Sequence, residues 1–270
     1  MSQTLKFIPV VSYLVAALVA SMISCAFALD VDTTIAANNN TNSSSRLIRR
    51  KELSNDCPPE GFQSRPTLNL ETYISALWYP QKAAPVIYAM DKSYCSVVEY
   101  TADDTCTFFC GDNIPRINVR NRGLDGSITG SLNDARLNAM VPDPDKHPAQ
   151  IRVGFPQRFI TPANYWVVDA GLYRDIIAGN HSSTATADDD SVYEWAIISG
   201  GAPTRSSNGK CIAGTFGRFD TRGLWIFARD SQPPEGAVQA IDDYAASLGL
   251  DTSVMIPVEH EGCDYAFLKD

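Results

Sequence analysis

Two apolar segments far apart in the sequence constrain the fold most: residues 70–79 (LETYISALWY) and residues 224–229 (LWIFAR). The first predicts a helical turn that runs into a strand beginning with Trp78. The second predicts an apolar strand that ends at Arg229. Because the first and last strands of a closed antiparallel barrel are neighbours, the Arg229 guanidinium can lie across the Trp78 ring. Together the two segments indicate a barrel that is sealed at one end.

The N-terminal residues 1–28 have the three parts of a secretory signal peptide. One early cation, Lys6, precedes a mostly apolar stretch over residues 7–20, and small residues flank a Phe at the exit. Two serines interrupt the apolar stretch too early for a comfortable membrane span. We expect cleavage near Ala28 and secretion to the extracellular space. Residues 25–28 also resemble the cleavage site of plastid-bound precursors in some algae, so plastid targeting is the alternative destination.

Residues 29–56 are rich in Asn, Thr and Ser and then in Arg and Lys, with little apolar surface to bury. This composition predicts a disordered leader. Residues 46–49 (RLIR) resemble the host-entry motif of secreted effectors from filamentous pathogens, whereas residues 49–50 also fit a dibasic processing site and a simple solvated linker. Glycosylation sequons occur at Asn39, Asn42 and Asn180.

The remaining residues 57–270 are enough for one domain of sandwich or barrel size. The whole chain has 31 acidic and 22 basic residues, for a net charge of -9, and has no basic stripe. A protein that binds nucleic acid needs such a stripe to neutralise phosphates. We therefore expect no nucleic acid partner.

Six cysteines remain once the signal peptide, with its Cys25, is removed: Cys57, Cys95, Cys106, Cys110, Cys211 and Cys263. An even set in an exported chain predicts three disulfides, but the spacing alone does not fix their pairing. Metal binding is the competing interpretation. No CxxC pair occurs and the three histidines are not at ligand spacing, so we expect no metal site.

The folded region predicts eight short strands followed by one helix. Turn residues separate the strands, and because no helix intervenes, adjacent antiparallel pairing is the simplest topology. The helix opens at residues 233–235 (PPE) and closes at Gly249, and its apolar face should pack outside the barrel. The predicted strands are residues 76–84, 94–102, 115–122, 126–137, 149–155, 164–170, 193–199 and 224–228.

Over nearly all of residues 57–263 the chain resembles the lipocalins, and among them the apolipoprotein D-like branch. Residues 57–58 (CP) and 70–79 look like the start of the domain and its first signature, although Ala76 stands where that signature has Gly. Residues 171–173 (GLY) lie near the second signature, and Arg229 matches the third. The resemblance implies an all-β, eight-stranded antiparallel up-and-down barrel with a C-terminal α-helix packed outside.

The resemblance also implies how the cysteines pair. By similarity to that branch, Cys57 pairs with Cys211 and Cys95 pairs with Cys263. Cys106 is then left to pair with Cys110.

A small apolar ligand inside the barrel is the implied function. We expect aromatic side chains on strands to line the cavity, with Asn121 as a polar contact at its mouth and Arg120 and Arg122 exposed. Tyr165 and Trp166 alternate along one strand, so only a bulge would turn both inward. A sterol, a retinoid-like polyene, a fatty acid or a tetrapyrrole suits such a lining. The expected ligand-binding residues are Tyr100, Asn121, Phe155, Tyr165, Trp166 and Trp225.

Two other classes of function stay open. A few lipocalin-like proteins are enzymes, such as isomerases and de-epoxidases, but this chain has no G-x-S-x-G, P-loop, GxGxxG or H-E-x-x-H motif. We therefore expect a binding protein without catalytic residues or a cofactor. The segments at residues 174–191 and 200–223 are long for this family and suggest an interaction or effector protein that contacts a membrane or receptor through loops.

Overall fold

The computed structural model describes residues 57–85, 93–103, 114–155, 162–180, 192–213 and 223–269. Within these ranges the helices are α1 (Leu70–Ile74), α2 (Tyr173–Ile177) and α3 (Ala237–Ser247), with 3-10 turns at Thr252–Val254 and Ala266–Lys269. The strands are β1 (Tyr79–Ala83), β2 (Ser93–Ala102), β3 (Arg116–Asp125), β4 (Ser131–Met140), β5 (Gln150–Gly154), β6 (Ala163–Gly171), β7 (Trp195–Ser199), β8 (Arg205–Ser207), β9 (Lys210–Ile212), β10 (Leu224–Ala228) and β11 (Ile256–Pro257).

Nine of these strands form one antiparallel sheet in the order β11-β1-β10-β7-β6-β5-β4-β3-β2. The sheet curls so that its ends meet: Trp78, just before β1, exchanges backbone hydrogen bonds of 2.9 and 2.8 Å with Val98 of β2. Apart from the short β11, the sheet therefore closes as eight strands in up-and-down order. This closure confirms the predicted fold class and leaves few unpaired strand edges.

The C-terminal tail completes the seam between β1 and β2. Strand β11 pairs with β1 at Lys82 and Ala83. On the other side, the Cys95 N–H donates to the Glu259 carbonyl at 2.8 Å, and the Glu259 N–H donates to the Ser93 carbonyl at 3.1 Å. The tail thus bridges the part of the seam that direct pairing leaves open.

Alternation along the strands separates two apolar clusters, because successive side chains of a strand point to opposite faces. Strand β10 shows the pattern clearly. Trp225 and Phe227 belong to the cluster inside the barrel, whereas Leu224, Ile226 and Ala228 belong to the cluster between the barrel and α3. The five-residue run of β10 thereby contributes to both.

Helix α3 covers the outside of the barrel, as predicted. Ala237, Ile241 and Ala245 recur at helical spacing and are all buried in the outer cluster. Burying a side chain the size of Ile241 stabilises the fold by roughly 1.5–3 kcal/mol. Lys82 of β1 adds an ion pair with Asp242 of α3 at 2.8 Å.

The strand predicted at residues 126–137 begins later in the structure. Residues 126–130 form a turn, and β4 runs from Ser131 to Met140. Gly126 has φ +78°, and a Cβ at Gly130 would overlap the Asp125 carbonyl oxygen. These glycines make the turn, so the strand cannot include them.

Several short elements were not predicted, among them strand β11 and the two 3-10 turns near the C-terminus. Helix α2 follows β6, and the β8–β9 hairpin lies within the segment expected to be a loop. Asn208 and Gly209 both adopt positive φ, at 48° and 75°. An Asn-Gly pair between short strands is a recognised hairpin signal, so the sequence held the information.

No helix within the described ranges is long and apolar enough to cross a membrane.

Candidate ligand-binding site

One end of the barrel is closed by a stack of Trp78 and Arg229. The guanidinium carbon of Arg229 lies 3.8 Å from the centroid of the Trp78 ring, and Trp78 is fully buried. The Trp78 indole N–H donates to the Tyr73 carbonyl at 2.9 Å. The contact predicted from the sequence is thus present, and it also anchors helix α1.

Arg229 holds α1 across this end as a lid. A helix C-terminus has carbonyls without intrahelical partners, and a cation is favourable there. The guanidinium donates to the carbonyls of Thr72 at 3.0 Å, Tyr73 at 2.9 Å and Leu77 at 3.2 Å, and also to that of Ala76. One side chain therefore joins β10, α1 and the turn that leads into β1.

Water still reaches the outer edge of Arg229. An open groove of about 530 Å³ lies outside the closed end and is bordered by Thr72, Arg229 and Asp230 among others. Burial lowers the pKa of Arg229, but an arginine stays charged at any ordinary pH. The cation is therefore stacked and hydrogen-bonded on its inner side and hydrated on its outer side.

Inward-facing side chains change from buried to solvent-accessible along the barrel. Near the closed end the inward side chains of the interior cluster are buried, and of the described inward positions there only Ala102, at the last residue of β2, is exposed. The buried ones are Tyr100, Ile117, Ala139, Ile151, Ala170, Ala196 and Phe227. Toward the opposite end, inward positions keep accessible surface: Asn121, Ala135, Leu137, Val153, Tyr165 and Trp225. A side chain that faces inward can be accessible only where water reaches the inner wall. The barrel is therefore closed at the Trp78 end and accessible from the other.

Of the accessible inward side chains named above, Asn121 is the polar one and the others are aliphatic or aromatic. Asn121 lies on the same face of β3 as Ile117 and Val119, which belong to the interior cluster. Its Oδ1 atom is buried and makes no hydrogen bond. A buried acceptor without a partner is costly, so this oxygen is a place where a bound molecule could contribute a donor.

Three tyrosine hydroxyls meet where the accessible and closed parts of the interior join. The Tyr165 hydroxyl lies 2.8 Å from that of Tyr73 and 2.9 Å from that of Tyr100. These residues come from β6, α1 and β2, so the cluster connects the lid to two sides of the barrel. Burial raises the pKa of all three phenols, which therefore keep their protons at ordinary pH.

Tyr100, Asn121, Tyr165 and Trp225 were predicted as ligand contacts, and the structure brings all four to the inner wall. Tyr100 is buried near the closed end, whereas the other three lie where the wall is accessible. Their contact with a ligand remains a prediction.

Trp166 requires a correction. It follows Tyr165 on β6 and belongs to neither apolar cluster, whereas Tyr165 and Val167 pack inside. The bulge of β6 lies between Val167 and Asp169, too late to turn Trp166 inward. Alternation therefore places Trp166 on the outer face, and it does not line the interior.

Phe155 is less enclosed than expected. It comes directly after β5 and is 42% exposed. It continues the alternation of Ile151 and Val153, which both pack inside the barrel. This position places it beyond the end of the strand rather than in the packed interior.

Tyr73 and Tyr193 belong to the interior cluster but were not predicted as interior residues. Tyr193 is buried, and its hydroxyl accepts a hydrogen bond from the Asn69 N–H at 3.0 Å. Both tyrosines lie outside the core strands, one in α1 and one before β7. Strand alternation gives no information for Tyr73, which lies on a helical turn. Tyr193 is the first residue of the predicted strand 193–199, but the observed β7 begins two residues later, at Trp195.

Two disulfides stabilise the domain, and they are those that the resemblance implies. Cys57 bonds to Cys211, and Cys95 bonds to Cys263. The remaining cysteines, Cys106 and Cys110, lie outside the described residues, as do the sequons at Asn39 and Asn42. Asn180 is exposed after α2, and its glycosylation stays a prediction.

Within the described ranges, no cluster of three or more His, Cys, Asp or Glu side chains could hold a metal ion.

Neither a protein-family model nor a curated protein matches this sequence. Among solved structures, insecticyanin from the tobacco hornworm is similar with a TM-score of 0.46 and 13% identity, over 78% of this chain and 90% of that chain. Per a 4 from cockroaches has a TM-score of 0.44 and 15% identity, over 77% of this chain and 96% of that chain. Lobster apocrustacyanin A1 has a TM-score of 0.43 and 13% identity, over 74% of this chain and 84% of that chain. These likenesses are low, and the fold described above depends on the strand pairing of this chain alone.

Proposed function

We propose that the chain is a secreted lipocalin that binds a small apolar molecule inside its barrel, without transforming it. The observation that carries this proposal is the inner wall, which is closed at the Trp78 end and accessible at the other. An eight-stranded barrel has just enough interior for one small ligand.

The lining favours an elongated or planar apolar ligand. Leu137, Val153 and Trp225 supply apolar surface, and Asn121 supplies a polar group that could orient the molecule. A sterol, a retinoid-like polyene, a fatty acid and a tetrapyrrole all fit this description. At about 0.3 kcal/mol per heavy atom, a ligand of roughly 20–25 atoms would bind with about 6–8 kcal/mol, which is roughly micromolar affinity.

The two long-range disulfides support export of the protein from the cytosol. Such bonds persist in oxidising compartments and are rare in the cytosol. With the signal peptide predicted at residues 1–28, they support secretion. Assignment to the apolipoprotein D-like branch is part of the same proposal and is motivated by the Cys57–Cys211 and Cys95–Cys263 pairing.

Trp225 makes the proposal directly testable, because it is the tryptophan on the accessible inner wall. Trp78 is buried at the closed end, Trp195 packs in the outer cluster and Trp166 lies on the outer face. Oleic acid and cholesterol do not absorb tryptophan emission, so they alter fluorescence only by direct contact or local rearrangement. We expect either probe to shift the emission saturably, and we expect the Trp225→Phe variant to lose most of that response.

The Trp166→Phe variant is the matched control and should keep the full response. Retinol and haem, titrated by absorbance, extend the panel to polyenes and tetrapyrroles. If none of the four probes binds saturably to protein with a folded circular dichroism spectrum, the proposal is wrong. If binding occurs but Trp225→Phe responds like the wild type, the ligand lies somewhere other than the inner wall.

A further inference from the structure

The tyrosine cluster has one more proton than its own hydrogen bonds can use. Tyr73, Tyr100 and Tyr165 carry three O–H donors, and two hydroxyl contacts join them. Each contact uses one proton. Within the described part of the chain these hydroxyls make no other hydrogen bond, so every orientation of the three leaves one phenol donor unused.

The difference in burial among the three tyrosines favours Tyr165 as the residue whose O–H makes no hydrogen bond within the cluster. Tyr73 is 0% exposed and Tyr100 is 8% exposed, whereas Tyr165 is partly accessible and belongs to the wall that water reaches. An unused donor costs most where neither water nor a ligand can meet it. The favoured arrangement therefore has Tyr73 and Tyr100 both donating to Tyr165, whose own proton is free for a bound molecule.

Asn121 supplies the complementary group on the same inner surface. Its unpartnered Oδ1 accepts hydrogen bonds, whereas the unused tyrosine proton donates one. Val119, two residues away on β3, lies directly opposite Tyr100 on β2, and Asn121 lies opposite Val98. Tyr100 and Asn121 are thus diagonal neighbours, about 7–8 Å apart between backbones. The Tyr165 hydroxyl lies 2.9 Å from that of Tyr100 and so comes close to this pair of positions.

We propose that the Tyr165 hydroxyl and the Asn121 amide form a polar anchor in the barrel for an apolar ligand that carries an oxygen atom. A ligand hydroxyl fits best, because it accepts from Tyr165 and donates to Asn121 at once. A ketone or ether oxygen satisfies Tyr165 alone. This inference rests on the proposed function and specifies which end of the ligand enters the barrel first.

Three small probes of nearly equal shape separate the two contacts. 2-Naphthol accepts and donates, 2-methoxynaphthalene only accepts, and 2-methylnaphthalene does neither. Calorimetric titration of the full secreted chain should give affinities in that order. One added hydrogen bond corresponds to about a three- to tenfold step in Kd.

Variants assign each step to a residue. In Tyr165→Phe the preference of 2-methoxynaphthalene over 2-methylnaphthalene should disappear. In Asn121→Leu the further preference for 2-naphthol should disappear while the methoxy preference stays. Tyr73→Phe is the matched control: it removes one hydroxyl and one contact, so Tyr165 keeps its unused proton and both preferences should persist.

Ratios between probes are compared within each variant, so a change in stability does not imitate the result. Equal affinity of the wild type for all three probes would overturn the anchor while leaving the apolar site intact. Persistence of both preferences in Tyr165→Phe would likewise overturn it. If even 2-methylnaphthalene fails to bind the folded wild type, the binding cavity itself, and with it the proposed function, is contradicted.

Discussion

At the scale of single residues, Arg229 closes one end of the barrel through several contacts at once. It stacks on Trp78 and donates to the carbonyls of the lid helix and the following turn. Its Nε–H also donates to the Tyr193 carbonyl at 3.0 Å. A planar fork with five donors suits this arrangement, and no other side chain offers it.

Substitution of Arg229 by Lys should destabilise the protein although the charge is kept. A lysine cannot reach carbonyls on both sides or stack with the same geometry, so we expect a loss of about 2–3 kcal/mol in the free energy of unfolding. Urea denaturation of the wild type and the variant measures this loss. Arg120→Lys is the control: Arg120 pairs with Asp134 on the outer face at 2.7 Å with both side chains partly hydrated, and should lose less than about 1 kcal/mol. Equal losses for both variants would argue against the special role of Arg229.

At the scale of elements, the C-terminal tail is a structural part of the barrel. It bridges the seam between β1 and β2, and the Cys95–Cys263 bond fixes it there. Arg122, expected to be exposed, is only 5% exposed, and it donates to Phe267 O at 2.9 Å and to Glu99 at 2.7 Å. Arg120, two residues earlier, stays partly exposed, so coverage by the tail and not the strand pattern buries Arg122.

His260 should make the stability of this tail pH-dependent. Its ring contacts the Pro80 carbonyl at 2.7 Å and the Tyr265 hydroxyl at 2.6 Å, and burial lowers its pKa from the ordinary 6.5. Below pH 6.5 the unfolded chain therefore takes up the proton first, so the free energy of unfolding should fall as the pH falls. The slope is at most about 1.4 kcal/mol per pH unit for one group.

Urea denaturation between pH 7.5 and pH 5 tests this dependence against the His260→Gln variant, which should have a flatter profile. His147 is exposed on the surface, so His147→Gln provides the control and should follow the wild type. Identical profiles for the wild type and His260→Gln would show that other groups cause the pH dependence.

At the scale of the whole molecule, the two disulfides join distant parts of the chain. Cys57–Cys211 spans 154 residues and fixes the segment before α1 to β9, and Cys95–Cys263 spans 168 residues. A third long-range link is a buried ion pair: Arg65 pairs with Asp169 at 2.7 Å, and Tyr244 of α3 donates to the same carboxylate at 2.8 Å. The segment just before α1, β6 and α3 are therefore held together.

Removal of either disulfide should lower the stability markedly. For loops of this length the chain-entropy model gives about 4–5 kcal/mol each, before native strain is subtracted. Denaturation of the Cys57→Ala/Cys211→Ala and Cys95→Ala/Cys263→Ala double variants measures each loss. Only the second variant should also increase amide exchange at position 95 and at Glu259, because it frees the tail from the seam. Matching exchange in both variants would contradict that role of the tail.

The sequence determined the order and type of the main elements. Each strand carries its own period-two pattern, so eight core strands, the late helix and the Trp78–Arg229 contact follow from local residue types and their order. The observed start of β4 differs from the predicted one because Gly126 and Gly130 form the turn that precedes it. Gly and Pro act through local backbone geometry, which a sequence shows.

Tertiary structure alone decided which distant side chains meet. Nothing in the sequence indicates that the Tyr73, Tyr100 and Tyr165 hydroxyls converge, since they lie on α1, β2 and β6. The alternation along a strand shows which residues share a face of the sheet. How the sheet curls decides which of the two faces turns inward, and this places Trp166 on the outer face. A strand pattern is local, whereas the register across a closed barrel depends on every strand at once.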